Sequence, residues 1–231
     1  MTRPLVSCVV PVHDGERFLG EALDSVLEQT YEPLEIVVVD DGSTDGTAEV
    51  AAGYGEAIRY FHQENAGPSA ARNRGVEASR GELIAFLDAD DLWVPEKTAT
   101  QVRALRERPE LDFCVGHVRN FWIDELAEEA ERLKGAGGDR AMPGYVTGTL
   151  LARRSLFDEQ VGLFDPDLAH GDATDWFVRC RAEGVRGELL SDVLLRRRIH
   201  ESNRSRTLAD HSRDEFLRLL KAQLDRRRSG E

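Results

Sequence analysis

The sequence has little of what marks several common classes of protein. Its three cysteines, Cys8, Cys114 and Cys180, lie far apart without CxxC spacing, which argues against a disulfide framework and a structural zinc site. No apolar run reaches the roughly 18 residues that span a bilayer, so no membrane helix is predicted. The apolar run at 5–12 is too short for a signal peptide and is interrupted by Pro11, and we interpret it as a strand. A reducing, cytoplasmic location is expected.

Positive charge is also scarce. The 231 residues include 30 Lys and Arg against 43 Asp and Glu, which gives a net charge of −13. Such a chain repels nucleic acid, and it binds a polyphosphate only through backbone amides, a few local arginines or a divalent cation. No GxGxxG follows the first predicted strand, and residues 11–15 contain one glycine. A nicotinamide-dependent dehydrogenase and a nucleotidyltransferase are therefore disfavoured.

Hydrophobic periodicity predicts an α/β fold. In the first half, β-branched apolar runs alternate with segments of helical spacing. The predicted strands are 5–12, 34–39, 58–61 and 83–87, and the predicted helices are 18–29, 47–52, 69–79 and 95–108. Later segments are less regular, with strands at 111–118 and 147–152, helices at 155–161 and 175–183, and extended segments at 187–190 and 193–199. We expect a mostly parallel central sheet with helices on both faces and a short antiparallel addition in the C-terminal half.

The length favours one domain over residues 1–203. We divide it into a nucleotide-binding half, 1–108, and an acceptor and catalytic half, 109–203. The stretch 119–146 has no interpretable motif and is expected to be a variable surface region. A tail, 204–231, carries an amphipathic helical stripe of Phe216, Leu220 and Leu224. This stripe either packs on the domain or on a second copy in a homodimer, or it lies on an anionic membrane surface at the inner face.

Two acidic clusters follow predicted strands, where open α/β sheets bind ligands. Asp40 and Asp41 come after the second strand, and the triplet of Asp88, Ala89 and Asp90 comes after the fourth. The two carboxylates of the triplet can hold Mg²⁺ or Mn²⁺, which bridges a diphosphate. Asp40 and Asp41 either cap the next helix or accept hydrogen bonds from a base or a ribose.

Arg72 lies one turn into the third predicted helix, which begins shortly after Gly67. Glycine permits close approach of the backbone to a ligand. The arginine either faces a nucleotide or pairs with a core aspartate. Asp91, next to the acidic triplet, has a simpler interpretation as the cap of the helix predicted at 95–108.

Four segments occur in a recognisable order, at 7–13, 37–45, 65–73 and 86–91. They include Pro11 and His13, the Asp40-Asp41-Gly42-Ser43 turn, the run from Asn65 to Asn73, and the Asp88-Ala89-Asp90 triplet. In this combination the chain resembles the family 2 glycosyltransferases of GT-A fold. The resemblance is close over residues 5–108 and looser to about 203.

The resemblance implies a role for each matching residue. Pro11 and His13 would line the nucleoside pocket, and Asp41 would contact the base with Asp40 alongside. Arg72 would lie near the nucleotide, Asp88 would contact the ribose or a metal-bound water, and Asp90 would ligate Mg²⁺ or Mn²⁺. His200, in the run from His200 to Asn203, would either approach the diphosphate or complete the metal shell.

The implied reaction is the inverting transfer of a sugar from a nucleoside diphosphate to an acceptor hydroxyl, in the biosynthesis of a cell-surface polysaccharide or glycoconjugate. Such enzymes use a carboxylate as general base, and in this chain the matching position falls on Ala173. Asp172 is our preferred base and Asp175 the alternative. A third possibility is a non-catalytic relative that binds the nucleotide sugar. Trp176 either stacks on a sugar or belongs to the core.

Overall fold

The computed structural model describes residues 3–134, 137–168 and 171–203. The predicted tail and its stripe of Phe216, Leu220 and Leu224 lie outside these residues, as does part of the glycine-rich connection at 135–138. The division of residues 1–203 into a nucleotide-binding half and an acceptor half stays a prediction. None of the helices in the described part combines the length and the apolar character that a membrane crossing requires.

The first half has the predicted alternation. Its elements are β1 (Val6–Val12), α1 (Leu19–Leu27), β2 (Leu34–Asp41), α2 (Thr47–Ala52), β3 (Arg59–Gln63), α3 (Pro68–Ala78), β4 (Leu83–Phe86), β5 (Leu92–Trp93) and α4 (Lys97–Glu107). Strand β1 pairs in parallel with both β2 and β4, and β2 with β3. All seven residues of β1 are buried, as expected for a parallel strand covered on both faces.

The second half completes the sheet with antiparallel neighbours. Its elements are β6 (Phe113–Trp122), α5 (Ala127–Lys134), β7 (Met142–Pro143), β8 (Leu151–Arg153), α6 (Asp172–Ala182) and β9 (Gly187–Ile199). The order across the sheet is β3-β2-β1-β4-β8-β6-β9-β5, and β7 pairs with β6. Strand β8 runs antiparallel to β4 and β6, whereas β6 and β9 are parallel. The predicted α/β fold with a mixed, mostly parallel sheet is confirmed.

Several predicted boundaries in the second half are wrong. The strand expected at 147–152 begins as a 3₁₀ turn, Thr147–Thr149, because the Thr149 hydroxyl donates to the Val146 carbonyl at 3.0 Å and closes the turn. The helix expected at 155–161 is a short π-helical turn, Leu156–Gln160. Helix α6 begins at Asp172, three residues earlier than predicted. The residues 187–190 and 193–199, which were expected to form one or two extended segments, form one long strand, β9, because both parts pair with β6.

A lysine is fully buried in the core between the two halves. Lys97, at the start of α4, is fully buried and lies 3.9 Å from the centroid of the Trp93 ring. Its Nζ donates to the Gln101 side chain at 2.8 Å and to the Leu150 carbonyl at 3.4 Å. Burial lowers the pKa of Lys97 from 10.5 to about 7. Lys97 thus joins the two halves through a carbonyl of the second half.

Candidate active site

A cleft of about 720 Å³ opens at the carboxyl ends of the parallel strands. Six aspartates and three arginines line it: Asp14, Asp41, Asp88, Asp90, Asp91, Asp172, Arg17, Arg72 and Arg197. Pro11, His13 and His200 line it as well. Most of the predicted site residues therefore meet in one place. The cleft is therefore lined by more carboxylates than arginines.

Asp41 lies at the end of β2 and organises the neighbouring loop. Its carboxylate accepts hydrogen bonds from the backbone N–H groups of Ala66 and Gly67, at 2.9 and 2.8 Å, and from the Gln63 amide at 2.8 Å. The next residue, Gly42, has φ +76°, and an added Cβ would lie 2.8 Å from the backbone nitrogen of Asn65. The turn after β2 therefore packs directly against the loop that precedes α3.

The His13 side chain contacts the same strand end, since its Nδ1 lies 2.9 Å from the Asp41 carbonyl oxygen. The Asn65 amide nitrogen lies 3.2 Å from the His13 Nε2. Both side chains line the cleft. Asn65 was not among the predicted site residues, although it belongs to the third segment of the resemblance.

Asp40 occupies a different place from the one that sequence reasoning gave it. It is buried and is not among the residues that line the cleft. Its carboxylate accepts hydrogen bonds from the Tyr60 hydroxyl at 2.5 Å and from the Ser43 backbone N–H at 2.8 Å. Burial acts to raise the pKa of Asp40, but these hydrogen bonds outweigh it and lower the pKa below its ordinary value. Asp40 therefore holds the turn after β2 and does not cap α2, whose N-cap is Gly46.

Arg72 connects carboxylates from the two halves of the chain. Its Nη1 donates to Asp172 at 2.5 Å and its Nη2 donates to Asp88 at 2.8 Å. Ser69, one turn earlier on α3, also donates to Asp172, at 3.2 Å. Arg72 is buried, so these carboxylates must compensate for the water that its charge has lost. Both alternatives hold in part, because the arginine lines the cleft and balances core carboxylates.

Asp90 lies on the floor of the cleft and pairs with the end of β9. Its Oδ2 lies 2.9 Å from His200 Nε2 and accepts a hydrogen bond from the Asn203 amide at 3.2 Å. Asp88, the other predicted ligand, is held by Arg72. Within the described ranges, no group of three or more His, Cys, Asp or Glu side chains is arranged to hold a metal. The three predicted ligands, Asp88, Asp90 and His200, do not form a preassembled triad.

Asp91 does not cap α4, contrary to its simpler interpretation. It is buried, and its carboxylate accepts a hydrogen bond from the Arg198 backbone N–H at 2.8 Å. Burial, and then the charges of Asp90 and Asp88, raise the pKa of Asp91 well above its ordinary value. The residue that begins α4 as its cap is Glu96, without a side-chain cap hydrogen bond.

Helix α6 separates the two candidate bases. Asp172 lines the cleft, but its side chain is only 8% exposed and is paired with Arg72. Asp175 is not among the lining residues, and its carboxylate pairs with Arg179 at 2.8 Å. Trp176 is fully buried, stacks on Phe157 and belongs to the core. Ala173, at the position that the resemblance gives to the base, has no group to accept a proton.

Comparison with known proteins decides the family. The model of Glycosyl transferase family 2 matches residues 7–162. The chain belongs to this family. An uncharacterized glycosyltransferase of Rickettsia typhi is 33% identical over 215 residues, which cover 88% of this chain and 67% of the relative. An uncharacterized glycosyltransferase of Rickettsia felis is 32% identical over 227 residues, which cover 91% of this chain and 37% of the relative.

Solved structures of glycosyltransferases share the fold of this family 2 chain. TarS 1–349 of S. aureus, in complex with UDP-GlcNAc, superposes with a TM-score of 0.68 at 20% identity, covering 86% of this chain and 59% of TarS 1–349. The mannosyltransferase PcManGT from Pyrobaculum calidifontis, in complex with GDP-Man and Mn²⁺, gives a TM-score of 0.65 at 24% identity, covering 88% of this chain and 59% of PcManGT. At these identities the similarity establishes the fold, and this chain spans only part of each protein.

Proposed function

We propose that this family 2 chain transfers a sugar from a nucleoside diphosphate donor to an acceptor hydroxyl, with the help of a divalent cation and with inversion at the anomeric carbon. The observation that carries the proposal is the cleft at the strand ends, where Asp41, Arg72, Asp88 and Asp90 meet. Its size suits a nucleotide sugar, since ligand pockets of about 300–1000 Å³ hold ligands of that size. Complexes of TarS with UDP-GlcNAc and of PcManGT with GDP-Man support this donor class.

Asp90 and His200 fit a divalent cation. A carboxylate oxygen and an imidazole nitrogen lie 2.9 Å apart on the cleft floor, and both are competent ligands for Mg²⁺ or Mn²⁺. Such ions commonly take one or two protein ligands and complete their shell with water and phosphate oxygens, so a full protein triad is not required. When bound, the cation would offset the negative charge on the leaving diphosphate.

The chain's own residues would position the donor. Pro11 and His13 line the part of the cleft next to Asp41, which suits a nucleoside. Arg197 and Arg72 line the same cleft and supply positive charge toward a diphosphate. Asp172 lines the cleft from α6, and we propose it as the general base, with Asp175 set aside because it is paired with Arg179 away from the cleft.

The test is nucleoside diphosphate release from a panel of UDP-, GDP- and TDP-sugars, with Mn²⁺ and with a chelator. Release that requires the cation and a particular donor supports the proposal. Separate Asp172→Asn and Asp175→Asn variants test the base, and we expect only the first to lose turnover while nucleotide affinity persists. Equal turnover of wild type and Asp172→Asn would remove Asp172 from that role.

A second function has its own support. The oxygen Oδ2 of Asp172 accepts hydrogen bonds from both Ser69 and Arg72, and Ala173 cannot act as a base. In this second function the Asp172 carboxylate serves the protein's own charge balance, and the chain binds nucleotide sugars without transferring them. Nucleotide binding without turnover of any donor, together with turnover gained in Ala173→Asp, would favour this second function.

The acceptor and the setting remain part of the proposal. We propose a cytoplasmic transferase that acts in the biosynthesis of a cell-surface polysaccharide or glycoconjugate, with contact to the inner membrane face or a second copy through residues 204–231. A glycosyltransferase of Streptococcus pneumoniae, GlyA, is 39% identical over 119 residues, which cover 50% of this chain and 17% of GlyA. Sedimentation with anionic lipid vesicles, and the mass of the protein in solution, test these two contacts.

A further inference from the structure

The end of β9 carries a buried arginine that the proposed reaction does not use. The Arg198 side chain is only 7% exposed. Its guanidinium carbon lies 4.7 Å from the ring centroid of Phe18 and 4.8 Å from that of Phe121. Its Nη2 donates to the Glu21 carboxylate at 2.9 Å. A charge is retained in such a place when paired groups and aromatic faces compensate for lost water.

Arg198 binds the acidic loop at Asp90 and Asp91, through both its side chain and its main chain. The side-chain Nε donates to the Asp90 carbonyl oxygen at 2.9 Å. The backbone N–H donates to the Asp91 carboxylate at 2.8 Å. Asn203 adds a link, since its amide donates to the Arg198 carbonyl at 3.1 Å and to the Asp90 carboxylate at 3.2 Å. These bonds fix the main chain of the loop at Asp90, the residue whose side chain lines the cleft.

We propose that Arg198 is a positioning residue, which fixes the Asp90 loop so that its carboxylate is presented to a divalent cation and to the diphosphate of a bound donor. The identity of that ligand rests on the proposed function. A ligand carboxylate depends on the groups that orient it, and the loss of such an outer partner weakens metal binding by roughly 10- to 100-fold.

The chain supplies a matched control for this role. Arg196, two positions earlier on β9, stacks on the same Phe121 ring, with its guanidinium carbon 4.7 Å from the centroid. Within the described ranges its side chain makes no hydrogen bond or ion pair with the acidic loop, and it is exposed. Arg196→Met therefore removes a cation and a stacking contact of the same kind but leaves the contacts to Asp90 and Asp91.

The experiment compares Arg198→Met with Arg196→Met in the full chain. Mn²⁺ affinity is measured by electron paramagnetic resonance, with and without UDP, and amide hydrogen exchange is followed over residues 88–92. We expect Arg198→Met to weaken Mn²⁺ binding by roughly 10- to 100-fold and to speed exchange in that loop. We expect Arg196→Met to change the affinity less than about twofold. Equal affinities in the two variants, or a wild-type protein that binds no Mn²⁺ with UDP present, would overturn the proposal.

Glu21→Gln covers the case in which Arg198→Met does not fold. The Glu21 side chain is 59% exposed, so its replacement preserves the fold while it removes the charge that anchors Arg198. Mn²⁺ binding weakened by a factor of about two to five supports the role, and unchanged binding contradicts it. Sugar transfer by the wild-type protein is assayed separately. Intact Mn²⁺ binding without transfer defeats the proposed function alone, whereas intact transfer with unaltered Mn²⁺ affinity in Arg198→Met defeats the positioning role alone.

Discussion

The candidate site carboxylates of the two halves of the chain lie in different electrostatic settings. Asp88 and Asp90 follow a buried parallel strand, and their side chains are 42% and 34% exposed. Asp172 and Asp175 lie on a helix, are 8% and 13% exposed, and each pairs with an arginine. The buried carboxylates of α6 therefore balance the charge of an arginine, and Asp172, which also lines the cleft, combines that task with its proposed role as the base.

The largest expected effect comes from breaking the buried pair on α6. Asp172→Ala leaves the Nη1 of buried Arg72 without its partner, while Asp88 stays bound to Nη2. We expect the free energy of unfolding to fall by about 3 kcal/mol, at the lower end for a broken buried pair because Asp88 remains. Urea denaturation measures this loss. A loss below about 1 kcal/mol would show that Asp172 contributes no more than a surface ion pair does.

The carboxylate of the first half should show the opposite pattern. Asp90→Asn removes a charge that faces the cleft but keeps the shape of the side chain. We expect turnover to fall about 100- to 1000-fold and the free energy of unfolding to change by less than about 1 kcal/mol. Nucleoside diphosphate release and urea denaturation report the two quantities, with exposed Glu96→Gln as the control. Retained turnover would contradict a ligand role for Asp90.

Lys97 allows a test of the junction between the halves through pH. Its pKa is lowered by burial to about 7 in the folded protein, against about 10.4 in an unfolded chain. Above pH 7 the unfolded state holds the proton that the folded state has lost, so stability rises with pH by up to about 1.4 kcal/mol per unit. Below pH 7 both states are protonated, and the cost of the buried charge is present in full.

The useful window for this measurement lies between about pH 7 and 8.5. At higher pH the buried thiols of Cys8, Cys114 and Cys180, whose pKa values are raised by burial, oppose the trend, because the unfolded chain loses those protons first. Denaturation of wild type and Lys97→Met across the window isolates the lysine. We expect the stability of the wild type to rise relative to that of the variant as the pH increases across the window, and parallel curves would contradict the assignment.

The smallest effect is expected for the second acid of α6. Asp175→Ala breaks a pair with Arg179, which also donates to the Leu163 carbonyl at 2.8 Å and so retains a partner. We expect a loss of less than about 1 kcal/mol and unchanged turnover. Loss of turnover with an intact fold would reverse our choice between Asp172 and Asp175.

Sequence reasoning succeeded where the structure depends on local signals. The four early strands were predicted from apolar runs, and the residues after β2 and β4 were predicted to meet because parallel strands end at one edge of the sheet. It left the role of Asp40 open, because periodicity cannot tell which of two adjacent aspartates points inward, and in the structure Asp40 faces Tyr60 rather than the cleft. It missed the buried Arg198, whose side chain contacts Phe18 and Phe121, residues far away in the chain.

The sequence by itself determined the alternating elements of the first half and the polar residues that follow them, because hydrophobic period and turn chemistry are properties of neighbouring residues. Only the tertiary structure decided how those polar residues are used. Arg72 reaches Asp172 across 100 positions, and Asp90 reaches His200 across 110. Pairings over such distances are set by the position of β9 in the sheet and by the packing of α6 against the sheet, which no local pattern encodes.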